Sequence, residues 1–177
     1  MLYEEGDIGK KKIDIAKKRL QEINPEANIT TINKQIFNKE QIQEILGQQK
    51  YDFVVNTMDN PRGEIRYIVD EAIYDLEIPY IYNGSSTSTA IVGPMILKGK
   101  TKKYGDLIPN HENSIEKISR LNDKLYVTTV IEPLNGSVGQ FTAFEVIKYI
   151  TGCANPSTFA TRIALNMDTM EIDKYEL

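Results

Sequence analysis

The chain has one cysteine among its 177 residues, which excludes an intrachain disulfide framework and a cysteine-rich zinc site. It has one histidine, His111, in a polar stretch with no cysteine close in sequence. That reads as a surface residue and leaves a His-dependent hydrolase triad little to stand on. Cys153, following a helix end, reads as small-residue packing rather than a nucleophile. No apolar run approaches the roughly 18 residues that a bilayer span needs. No secretory leader is visible, because Met1 runs straight into LYEEGDIGK. Neither sign of charge dominates: 21 Lys and Arg against 25 Asp and Glu leave a net charge of −4, which makes no case for general nucleic-acid or membrane-surface affinity. A complete Gly-rich dinucleotide fingerprint and a P-loop are both missing, and GKT at Gly99–Thr101 neither follows the required glycine nor opens a helix. What remains, 41% hydrophobic and 26% charged, predicts one cytoplasmic α/β domain with a sizeable core.

The most informative stretch is Tyr51–Arg66, YDFVVNTMDNPRGEIR. Phe53, Val54 and Val55 form a short apolar run that suits a strand buried on both faces. Asp59 and Asn60 follow, then Pro61 as the first turn of a helix carrying Ile65, Ile68, Val69, Ala72 and Leu76 at helical spacing. Strand, acidic turn, helix is one arm of a βαβ unit, and ligands of open parallel sheets sit at the carboxyl ends of strands. Two readings of Asp59 stand side by side. It holds Mg²⁺ or orients a phosphate or hydroxyl, or it simply caps the helix.

Elsewhere the pattern predicts a helix from Asp7, as its cap, to about Gln21, with Lys10, Lys11 and Lys12 in its first turn. Those lysines are either a solvated cluster or one side of an anion site at a helix N-terminus. Asn28–Ile32 reads as a strand, and Asn38 with Gln41 as a capping box for a short helix closed by Gly47. Pro79–Asn83 is a further strand, SSTST a polar linker, and Ala90–Leu97 an extended run interrupted at Gly93–Pro94. A polar, irregular segment covers Lys98 to about Asp123. A strand at Tyr126–Ile131 and a glycine-bearing turn at Pro133–Gly139 lead into a helix over about Gln140–Thr151. That helix is apolar over most of its circumference and is expected to be buried. Ala160–Met167 and Met170–Tyr175 alternate like a terminal hairpin.

Taken together, DIGKKKIDIAKKRLQEINPEANIT, YDFVVNTMDN, IPYIYNGSSTSTAIVGPMI and NGSVGQFTAFEVIKYITG resemble the ThiF/MoeB/HesA family, the bacterial relatives of ubiquitin-activating enzymes. VGPMILKGKT places the pattern nearest the MccB-like branch. The resemblance spans nearly the whole chain. It implies a Rossmann-like, mostly parallel sheet with helices on both faces, closed by a C-terminal antiparallel hairpin. It also implies ATP–Mg²⁺ binding and adenylation of a carboxylate on a peptide or small ubiquitin-like protein, with neither nucleic acid nor membrane as partner. By motif, Lys12 matches the lysine that contacts the nucleotide phosphates, Asp59 the aspartate that supports Mg²⁺, and Asn60 the residue beside it. The segment from Lys98 to about residue 123 matches the crossover loop near which the substrate tail threads.

The departures matter as much. The family's opening strand, GxGGxG loop, second strand with its ribose-binding acid, and Asn–Arg segment have no counterpart here, so residues 1–177 read as a single partial domain. The paired zinc CxxC motifs are missing, with Lys103 near the first cysteine's place, so no zinc site is expected. Glu64 stands where an arginine often follows the aspartate, flanked by Arg62 and Arg66. Without the first strand, one edge of Phe53–Met58 is expected to lie open and to be covered by a second copy, a swapped element or another polypeptide. Two functions follow: an adenylyltransferase as part of a longer or assembled protein, or a catalytically inactive remnant that binds peptide or acts as a scaffold. The acceptor and the fate of the adenylate are not written in the residues.

Overall fold

The computed structural model describes residues 2–61, 64–85, 88–107 and 131–177. His111, the later part of the crossover loop and all but the last residue of the Tyr126–Ile131 strand lie outside them. Two compact units are present, Met1–Gln35 and Ile36–Leu177.

In the first unit, a 3₁₀ turn at Glu5–Asp7 precedes α1, Lys12–Ile23. Asp7 does not cap α1, whose N-cap is Lys11. Its carboxylate accepts the Glu4 N–H at 3.1 Å and the Lys10 ammonium at 3.0 Å, with Arg19 3.7 Å away. The hydrogen bond from Lys10 and that from the Glu4 backbone hold this carboxyl below its ordinary range. The cap is thus spent on a preceding turn. Residues 28–32 form no strand, because β-prone side chains make a strand only beside a neighbour that completes the ladder.

The second unit opens with α2, Lys39–Leu46, whose N-cap Asn38 accepts the Gln41 N–H at 3.0 Å. Gln41 returns the bond one residue early, to the Phe37 N–H at 2.7 Å. β1 (Val54–Asn56), α3 (Ile65–Asp75), β2 (Tyr80–Ser85), β3 (Thr89–Ile96), the short α4 (Tyr104–Leu107), α5 (Glu132–Thr151), β4 (Thr161–Asn166) and β5 (Glu171–Glu176) follow. The strands form one sheet in the order β1-β2-β3-β4-β5. The α/β, Rossmann-like class stands. Its sheet is mixed rather than mostly parallel: β1 and β2 run parallel with Val54 opposite Tyr80, and the other three pairs are antiparallel. The ends of SSTST, expected to be a polar linker, lie in strands: Ser85 closes β2 and Thr89 opens its antiparallel partner β3.

Alternation along β2 sends Tyr80 and Tyr82 to one face and Ile81 to the other. On the first face Ile65, Val69, Ala72 and Ile73 of α3 bury against Tyr80, Tyr82 and Ile96. On the second, Val146 and Tyr149 of α5 pack on Ile81, Val92 and Met95, while Leu134 and Val138 pack on Ala90. Each fully buried Ile, Leu or Val contributes about 1.5–3 kcal/mol. Helices thus cover both faces, and β1 sits at an edge with its outer side unpaired among the described residues. Val55 is 45% exposed, so β1 is not buried on both faces.

Two helices also differ from the sequence expectation. α3 starts at Ile65, and Pro61 lies before it, its carbonyl accepting the Ile65 N–H at 2.9 Å. α5 starts at Glu132, so Pro133–Gly139 is helix; proline is tolerated in a first turn, and both glycines are carried inside. α5 is also not buried all round: Phe141, Phe144, Ile147 and Ile150 are 51%, 55%, 50% and 58% exposed. Cys153 likewise is exposed rather than packed.

At the kink of β3, Gly93 has φ +90°, and a Cβ there would lie 2.3 Å from the Thr161 carbonyl oxygen. Strain and clash act together, so Gly93→Ala is expected to cost about 2–5 kcal/mol in urea unfolding. A loss below about 1 kcal/mol would show that β3 and β4 separate freely at this point.

α3 turns Asp70 inward, 1% exposed. Burial pushes its carboxyl above the ordinary 3.8, against hydrogen bonds from Tyr80, Gly105 and Tyr104 that pull down. From about pH 4 upward the unfolded chain gives up this proton first, so the folded state binds more protons and stability falls as pH rises through that window. Asp70→Asn, with nothing to titrate, is expected to show a shallower decline between pH 4 and 7 in urea-midpoint series. Parallel curves would refute the assignment.

Candidate functional site

The site is built at the carboxyl ends of β1 and β2, which share a direction. Asn56, the last residue of β1, is buried, and its side-chain oxygen accepts the Met58 N–H at 3.1 Å. This local Asx bond turns the chain out of the sheet and delivers Asp59 and Asn60 to the surface, where both are exposed. The N-cap of α3 is Glu64. Asp59 therefore does not cap the helix, and it makes no hydrogen bond or ion pair among the described residues. The capping alternative falls, leaving an exposed carboxylate with no partner among the described residues at the end of a parallel strand.

Lys12 is exposed at the first position of α1, also without an ion-pair partner among the described residues, whereas Lys10 beside it is bonded to Asp7. The structure brings Asp59 and Asn60 together on one turn; Lys12 belongs to the first unit.

Two features escaped the sequence reading. The layer between β2 and α5 changes from apolar to polar toward the strand's carboxyl end: after Ile81, Asn83 donates to the Thr142 hydroxyl at 3.2 Å, and Ser85 donates to the Asn135 side chain at 2.9 Å. Thr142 and Asn135 lie two turns apart on α5, so the two pairs form a column. On the opposite face, the Arg66 guanidinium lies close to Gly84: a Cβ on that glycine would be 3.9 Å from it. The i, i+2 spacing of Asn83 and Ser85 was visible in sequence, but their partners, more than forty positions away, were not. Among the described residues no group of three or more His, Cys, Asp and Glu could hold a metal by itself. Asp59 fits the other way in which Mg²⁺ is held, by one carboxylate together with substrate phosphates.

The profile of the ThiF family matches residues 1–177. The chain belongs to the ThiF family. It is 31% identical over 152 residues to a probable molybdopterin-synthase adenylyltransferase of Porphyra purpurea, covering 86% of the chain and 37% of that relative. It is 30% identical over 149 residues to the molybdopterin-synthase adenylyltransferase of Haemophilus influenzae, covering 84% of the chain and 56% of the relative. The crystal structure of E. coli MccB with ATP superposes with a TM-score of 0.83 at 26% identity, over 99% of this chain and 50% of MccB. MccB has also been crystallised with AMPCPP and MccA, and that structure superposes with a TM-score of 0.84. The ThiF-family chain thus spans about half or less of the length of most of these relatives.

Proposed function

We propose that this ThiF-family chain acts, as part of a longer or assembled protein, in ATP-dependent adenylation of the carboxylate of a peptide or small ubiquitin-like protein. The carboxylate oxygen attacks the α-phosphorus of ATP, the bond to the bridging oxygen breaks, and acyl-adenylate and pyrophosphate result. The observation that carries the reading is Asp59: an uncapping carboxylate, without a partner among the described residues, at the carboxyl end of a parallel strand, in a chain whose relatives are named adenylyltransferases. Asp59 would hold Mg²⁺ together with the nucleotide phosphates, and the ion would neutralise charge building up on the leaving pyrophosphate. Asn60 contributes a polar contact beside it, and Lys12 offsets phosphate charge. No protein nucleophile is needed.

The test is ATP–[³²P]pyrophosphate exchange by the protein in its longest expressed form, with Mg²⁺ and candidate peptides. Peptide-dependent exchange is the expected result; none across a peptide library would leave the inactive, peptide-binding reading in its place.

We further propose a homodimer or swapped assembly in the cytoplasm. Support comes from the outer face of α5, where Phe141, Phe144 and Ile147 are exposed and a Cβ on Gly139 would meet nothing within 4 Å, so that a second helix has room to approach closely. Among the described residues no helix is long and apolar enough to cross a membrane. Sedimentation of wild type and Phe144→Glu is expected to give a dimer and a monomer respectively. A wild-type monomer at every concentration would refute it.

A further inference from the structure

Arg162, the second residue of β4, carries its guanidinium to the α3 side of the sheet, where Nη2 donates to the Tyr104 hydroxyl at 3.3 Å. That long bond is the one side-chain hydrogen bond of Arg162 among the described residues, and its Nε is enclosed with no partner. A guanidinium cannot shed its proton to escape burial, so the charge stays and an enclosed N–H on it is costly. Nη1 also lacks a bond among the described residues, but it is not enclosed. Access is from that end.

No carboxylate answers this charge among the described residues. Arg162 stands opposite Tyr175 in the β4–β5 ladder, and Asp173, opposite Ala164 on the same face, forms no ion pair with it. Asp70, which Tyr104 also meets, has both oxygens taken by the Tyr80 hydroxyl and the Tyr104 and Gly105 N–H groups. Burial and the neighbouring Tyr104 raise the Tyr67 phenol, whereas Arg66 and Arg162 pull it down, as uncompensated positive charge does.

Tyr104 is a fixed donor beside the cation. It is 3% exposed, its ring lies 4.4 Å between centroids from Tyr82, and it meets Tyr67 edge-on at 5.5 Å. Its oxygen accepts from Arg162, so its own hydrogen is left to donate, and no acceptor for it is present among the described residues.

We propose that Arg162 and the Tyr104 hydroxyl form a binding site for a carboxylate. Only donors are presented, so an acceptor-only group fits. The end-on pair Nη1 and Nη2 matches the two oxygens of a carboxylate, and the charge that Nε shares by delocalisation is neutralised with them. One negative charge cancels one positive, whereas a doubly charged phosphate would leave a net charge among tyrosine rings. The site is not the Asp59 turn: β4 lies three strand spacings from β1, about 14 Å across the sheet. It stands whether or not the chain adenylates.

Nitrogen-15 NMR of the arginine side chains tests it on the wild-type chain at pH 7, with sodium acetate as the probe and sodium chloride at equal ionic strength as the control. Arg162→Lys identifies the Arg162 Nε–Hε signal by its loss. That signal is expected to shift and saturate, with half-saturation at or below about 10 mM acetate, while the Arg19 and Arg66 signals move no more than in chloride. Tyr104→Phe, which keeps the ring, should raise the half-saturation concentration about fivefold. An Arg162 signal that moves in acetate only as it does in chloride would overturn the proposal. Tighter binding of inorganic phosphate than of acetate would overturn the carboxylate assignment, and unchanged affinity in Tyr104→Phe would remove the hydroxyl from the site.

Discussion

Replacing Asp59 with alanine is expected to lower pyrophosphate exchange about 100-fold while leaving the unfolding midpoint where it was. The size follows from the role: a hard oxygen ligand to the metal that neutralises charge in the transition state is worth several kcal/mol. The silence in stability follows from the geometry. Asp59 is exposed, caps no helix and holds no partner among the described residues, so its loss leaves no buried polar group unmatched and stays within about 0.5 kcal/mol. Asp59→Asn sharpens the point, since it keeps the shape and removes only the charge. Exchange at wild-type rates in both variants would move the metal-supporting role elsewhere. Lys12→Ala should fall too, chiefly through weaker nucleotide binding, read as a higher KM for ATP.

The largest expected loss of stability lies at Glu145 on α5. Its carboxylate is 5% exposed and engages four donors: Lys148 at 2.5 Å on one oxygen, and the Ser157 N–H at 2.6 Å, the Thr158 N–H at 3.0 Å and the Thr158 hydroxyl at 2.9 Å on the other. Glu145→Ala would strand these groups, including a largely covered ammonium. Removing one partner of a buried charged pair costs about 3–5 kcal/mol, far more than the net contribution of the pair itself. The damage should spread to the sheet, because Thr158 in turn accepts the Met95 N–H of β3 at 2.7 Å. Urea unfolding followed by circular dichroism measures it, and Glu145→Gln should lie between the variant and wild type. A cost under about 1 kcal/mol would mean that the loop after α5 is held by packing alone.

Much of the architecture was legible because local chemistry and tertiary structure agreed. Phe53–Val55 followed by Asp59 and a 3.6-period run gave strand, turn and helix, and the Asn38 cap and the terminal hairpin were read correctly. The failures share a cause: each depends on what a residue meets at a distance. Asn28–Ile32 has a strand's composition but no strand beside it. Asp7 has a cap's chemistry, but Lys10 and Arg19 take its carboxylate. α5 was expected to be buried because its apolar residues run round the helix; Leu134 and Val138 do face the sheet, while Phe144 and Ile150 look outward. An apolar pattern records which side chains are apolar, without saying what each of them meets. At the candidate site, Asp59 was proposed from its place in the pattern, whereas the Asn83–Thr142 and Ser85–Asn135 pairs emerge only when α5 is laid against β2.

The three-residue β1 has a further use. It is the sheet's one parallel-paired strand at an edge, and its outer side carries no ladder among the described residues. An edge of that kind is a template for β-augmentation. A short strand peptide supplied in trans, rich in Val and Ile, can register against Val54–Asn56 and report its docking through a fluorophore. The open edge would then become a docking sensor, in which adding a strand, rather than a substrate, switches the signal.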